Sequence, residues 1–184
     1  MPEGVWPLLA PWSNFYIMTG SSAAALTGLM FVVITLVTGL ERGGTQDGVA
    51  TFSTPNVVHF SAALLASAIL IAPWPSVLGP AIAAGLTGLG GVAYGLRVIH
   101  RTKRFAVLGE YTADLEDWAW YAIIPFVAYG TLFVGAIALP AFAPKALFVI
   151  AAAVVLLIFS GIHNAWDTIT YITLKRDDKP PDAK

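Results

Sequence analysis

Ser160, His163, Asn164, Asp167 and Tyr171 recur at intervals of three or four residues near the C-terminal end of the chain. On a helix that spacing lays them along one face. A histidine and a carboxylate four positions apart can pass a proton, hold a cation, or offer two ligands to one metal. The setting makes them conspicuous, because every residue from Ala146 to Phe159 is apolar. A carboxylate in the middle of a bilayer costs about 2.5–3.5 kcal/mol on insertion scales, less near the interface, so Asp167 calls for a partner or for water.

Other titratable residues fall at the same depth once the apolar segments are laid antiparallel. His59 sits about one turn inside one end of the second segment, with Asn56 one turn nearer the surface. Arg97 and His100 close the third, Glu116 and Asp117 open the fourth, and Thr35 and Thr38 line the end of the first. The candidate cluster is therefore His59, Arg97, Glu116, Asp117, His163, Asn164 and Asp167.

Two readings follow. In one, the cluster is an internal lock, for instance Arg97 paired with Asp167 or Asp117, since buried charges need partners. In the other it marks a proton or ion path, the usual significance of ionisable groups in a membrane span. A metal site built from His59, His163 and Asp167, completed by Glu116 or Asp117, is an alternative within the second reading. Haem would need His59 or His163 as an axial ligand. With no cysteine in the chain, there is no thiolate nucleophile, disulfide, Cys-ligated metal or covalent haem attachment. No cofactor is expected. Ser21 and Ser22 lie toward the opposite end from every histidine, and neither a phosphate loop nor an H-E-x-x-H pair occurs. The basic run "HRTKR" reads as a topology determinant with anionic-lipid contact, not as a nucleic-acid site.

The elements that must position these residues are apolar helices. The 184 residues are 57% hydrophobic and 11% charged, against about 25% charged in an ordinary soluble domain. Gly4 to Leu40 contains no Asp, Glu, Lys, Arg or His. About 20 apolar residues cross a bilayer, and five such helices are expected at about 13–40, 55–73, 78–101, 117–139 and 146–173. Thr54-Pro55 reads as an N-cap followed by proline at the first helical position. "PWPSVLGP" and "PAFAPK" read as tight hairpins, and Pro125 should kink the fourth helix. The connection 102–116 is polar, with a short interfacial helix through "EYTADLEDW", and the tail 175–184 should be disordered.

Nine of the ten Lys and Arg fall on one side of this five-crossing scheme, and only Lys145 falls on the other. By the positive-inside rule the N-terminus faces out and the C-terminus in. With no basic residue before the first apolar run, that run reads as a retained helix and not a cleaved signal. Trp6, Trp12 and Trp74 fall near one interface, and Trp118, Trp120 and Trp166 near the other. Gly85, Gly88, Gly91 and Gly95 make the third helix the most glycine-rich. Small-residue ridges let helices approach closely, so this helix is expected at the centre of the bundle or at a contact between copies.

"STPNVVHF", "LEDWAWY" and "GIHNAWDTITYI" resemble patterns in small multi-pass bacterial inner-membrane proteins of no established activity. The resemblance spans the second to fifth helices. It implies an inner-membrane location and carries over no catalytic residue. The expectation is an all-α, five-helix inner-membrane bundle in contact with lipid, channel-like or transport-associated for a proton or small ion. A metal-dependent enzyme and a non-catalytic assembly subunit are the alternatives.

Overall fold

In the computed structural model, residues 6–40, 46–107 and 115–177 are described. No strand occurs among them. After a short α1 (Trp6–Leu9) and a tight turn at Ala10–Trp12, α2 runs Ser13–Leu40, α3 Gln46–Ile71 and α4 Leu78–Val107. Then α5 (Leu115–Trp118) leads through one π-helical turn, Ala119–Ile123, into α6 (Ile124–Asp177). Three segments, Pro7–Thr35, Leu78–His100 and Ala119–Thr170, are long and apolar enough to cross a membrane, and Pro55–Ile71 is a shorter apolar helix.

The 54 residues of α6 are two arms. Pro140 and Pro144 each lack an N–H, and Phe142 between them leaves the helical region at φ −133°, ψ 43°. The chain folds back there, so that a Cβ added at Gly135 would stand 2.8 Å from Ile150. The "PAFAPK" hairpin thus lies where the prolines place it.

α2 packs on α3, α4 on α6, and α3 bridges to α6. Thr19 and Ser67 share a hydroxyl hydrogen bond of 3.0 Å at one end of the α2–α3 pair. The centre belongs to α6, not to the glycine-rich α4. In the most apolar window of Ala119–Thr170, 56% of residues are buried, against 22% for Leu78–His100. The reason is visible in α4 itself. Gly85, Gly88, Gly91 and Gly95 form a single contact face: an added Cβ at Gly88 would come within 2.7 Å of the Phe133 backbone nitrogen, and one at Gly95 within 3.3 Å of Phe126. Ile82, Leu86, Leu89 and Leu96 face outward. The ridge is occupied by the first arm of α6 inside the same chain.

Three expected boundaries need correcting. α3 begins at Gln46, well before position 55, and Pro55 lies inside it rather than at its start. A helix that continues through proline gives up one backbone bond, here to the carbonyl of Thr51. α4 extends through Val107 and α6 through Asp177, so the 102–116 connection and the 175–184 tail are each shorter than expected. The expected interfacial helix and tail lie mostly outside the described residues.

Candidate functional site

The polar residues gather at the end of the bundle where α3 begins and α6 ends. A Cβ added at Gly161 would meet the Phe60 ring at 2.5 Å, which fixes α3 against the second arm of α6. The two run antiparallel. Asn56, one turn before Phe60, and Asn164, one turn after Ser160 and Gly161, therefore both lie on the same side of that contact.

The π turn explains the second arm's buried stripe. Ile124 donates its N–H five residues back, to the carbonyl of Ala119. That slip deprives the Trp120 carbonyl of its α-helical donor. Its π-helical donor would be residue 125, which is proline and has no N–H. The stranded carbonyl is met from across the bundle: Asn164 Nδ2 donates to it at 3.2 Å and Ser160 Oγ at 3.4 Å. Pro125 acts here through a register slip, a more specific outcome than the expected kink.

The stripe divides by exposure. Ser160, Asn164 and Thr168 are buried, whereas His163 lies at the edge and Asp167 faces outward. The side chain of Tyr171 lies outside the described residues. Asp167 Oδ2 accepts from the Tyr121 hydroxyl at 3.0 Å, and Thr168 Oγ1 donates to the Asn164 carbonyl at 2.7 Å. The His163 ring stacks on Trp120 with centroids 3.9 Å apart and planes 8° from parallel. Its Nε2 stands 3.8 Å from Glu116 Oε1, an ion pair whenever the ring is protonated. Among the described residues this is the only such pair.

His59 occupies a second, deeper position. It is 1% exposed, and its Nδ1 lies 3.0 Å from the Tyr129 hydroxyl. Tyr94 packs edge-on to it at 6.5 Å between centroids. Of the expected cluster, then, Glu116 meets His163, while Asn164 and Asp167 each engage the π-turn segment. His59 belongs to a separate pair on the inner side. Arg97 is exposed on α4 and forms no ion pair with Asp167. The Asp117 side chain lies outside the described residues. His59, His163 and Asp167 each have a different neighbour, and no group of three His, Asp or Glu that could hold a metal occurs among the described residues.

Tyr121 and Tyr129 were not singled out by sequence, and Trp120 was placed only as an interfacial aromatic. A signal exists: Tyr121, Pro125 and Tyr129 recur every four residues, which places two polar-tipped rings and a proline on one face.

Not all of this end is paired. Both amide atoms of Asn56, Nε2 of His59, Nδ1 of His163 and Oδ1 of Asn164 are buried without a hydrogen-bond partner. Asn56 and Asn164 are both 0% exposed. Five such atoms among the described residues are unusual for a small bundle, since the great majority of buried polar atoms are partnered.

The fold and this end together define an all-helical protein with membrane-length apolar helices and one internal polar end. No family model, curated protein or solved structure matches the chain.

Proposed function

We propose that the chain is a five-span bacterial inner-membrane protein, N-terminus outside and C-terminus inside, whose polar end passes protons or small ions from the cytosol into the bundle. The outward apolar faces, such as Ile82, Leu86, Phe148 and Phe159, meet lipid in this reading.

What carries it is the set of unpartnered buried polar atoms on Asn56, His59, His163 and Asn164. A lock made only for stability has every member satisfied, because a half-paired polar network is worse than an apolar core. Exposure also falls in steps along the titratable residues. The Glu116 side chain is 78% exposed and that of His163 33%, while His59 is 1% exposed. Groups at graded depth are what a relay needs. The paired half of Asn164 has a structural task, holding the Trp120 carbonyl, so the path is assigned to the histidines and carboxylates.

The test is proton flux in proteoliposomes followed with a pH-sensitive dye. Wild-type protein should conduct above empty vesicles, and Asp167→Asn and His163→Ala should each reduce the rate. Equal rates in all three remove the proposal. Orientation is read separately in the cysteine-free chain: a single cysteine at Lys145 should react with an impermeant reagent from outside, and one at Leu115 only after permeabilisation.

A further inference from the structure

Asn56 stands out among the buried residues. Both polar atoms of its amide, a nitrogen with two N–H groups and an oxygen with two lone pairs, lie with no exposure and no protein partner. Replacing such a residue by an apolar one of the same shape would stabilise a dry interior. One turn further along α3, His59 presents Nε2 in the same condition, its Nδ1 already engaged by Tyr129. Asparagine and histidine three positions apart lie on one helix face. From the facing arm of α6, Asn164 brings a further unpartnered oxygen on the same side of the Gly161–Phe60 contact as Asn56.

We infer that Asn56, the Nε2 edge of His59 and Oδ1 of Asn164 form an internal hydration site holding one or two water molecules. The chemistry fits a small neutral guest. The three residues supply donors from the Asn56 amide and acceptors from two amide oxygens, and His59 Nε2 serves as either according to its tautomer. No formal charge lies in the set, so it offers little to a bare cation. A buried water normally takes two to four such partners, about three on average, and the site provides that number from two elements. Among the described residues, the titratable groups that contact His59 from neighbouring elements are Tyr129 and Tyr94. The inference rests on the proposed path only for its use: hydration here would extend that path inward from His163 to His59.

The test has two arms that do not depend on flux. Hydroxyl-radical footprinting by radiolysis of the wild-type protein labels buried residues beside bound water. His59 and Tyr129 should be modified although each is 1% exposed, while Tyr16, 0% exposed in the apolar core, should stay protected. Equal protection of Tyr129 and Tyr16 overturns the site. In the second arm, Asn56→Leu should lower the thermal midpoint in detergent by about 2–4 °C or more, since each kcal/mol shifts a chain of this size by that much. A raised midpoint would show that Asn56 was simply a dry, unpaired amide, and overturns the site. If Asn56→Leu does not fold, Asn56→Ser keeps a polar contact and should retain the radiolytic label at Tyr129. Absent flux in wild type with Tyr129 labelled rejects the path and keeps the water; flux with both tyrosines protected does the reverse.

Discussion

The side-chain amide of Asn164 donates to the main-chain carbonyl of Trp120 at 3.2 Å, across 44 positions of sequence. It replaces a hydrogen bond that the helix containing Trp120 cannot make. Asn164→Leu should therefore leave a part-buried carbonyl with only the longer Ser160 contact and cost about 1–3 kcal/mol. Thermal or denaturant unfolding in detergent would register the loss; an unchanged midpoint would mean that Trp120 finds another donor.

Pro125 is the cause assigned to that deficit. Pro125→Ala restores an N–H five residues after Trp120, able to close the π turn or to let it relax to α-helix. In that background Asn164→Leu should cost less than it does alone. A double-mutant cycle gives the coupling directly, with about 0.5–3 kcal/mol typical of groups that share a partner. Additive effects would contradict the link.

The α4–α6 contact makes a sharper comparison between two neighbouring glycines. At Gly88 an added Cβ would press on the Phe133 backbone at 2.7 Å, while at Gly90 nothing lies within 4 Å. Gly88→Ala should force the helices apart at about 1–3 kcal/mol. Gly90→Ala should be neutral or stabilising by up to about 1 kcal/mol, the helix propensity difference. Similar losses at both positions would place α4 differently from the fold described.

Tyr129→Phe removes the hydrogen-bond partner that His59 has among the described residues and leaves both ring nitrogens buried without one there. The expected loss is about 1–3 kcal/mol, readable in the same unfolding assay. A stabilised variant would indicate that His59 is not held by that hydroxyl.

Much of the fold was legible because bilayer-length apolar runs admit few structures. α2 occupies 13–40 as the hydropathy suggests, and the turn at Phe142 falls where Pro140 and Pro144 deny the helix two donors. The inward direction of Ser160 and Asn164 followed from spacing alone. Other features needed tertiary information. Whether Pro55 starts a helix or interrupts one depends on what packs on either side of it, and a proline is compatible with both. The π turn is a choice between two registers, decided by the donors that Asn164 and Ser160 bring from another segment. Tyr129 reads in sequence as one more aromatic in an apolar helix; only the approach of α3 makes its hydroxyl a partner for His59. Arg97 was grouped by depth with Asp167, but depth says nothing of azimuth, and α4 turns it outward.

The central claim is that the polar end conducts, and His163 isolates it most cleanly. His163→Phe keeps a flat ring to stack on Trp120 while removing both nitrogens, so the fold should survive and the relay should not. Reconstituted at equal protein per vesicle, wild type should dissipate an imposed pH gradient and the His163→Phe protein should do so at least about tenfold more slowly, the scale on which a missing proton-transfer group is felt. A correctly folded His163→Phe protein that matches the wild-type rate would contradict the account.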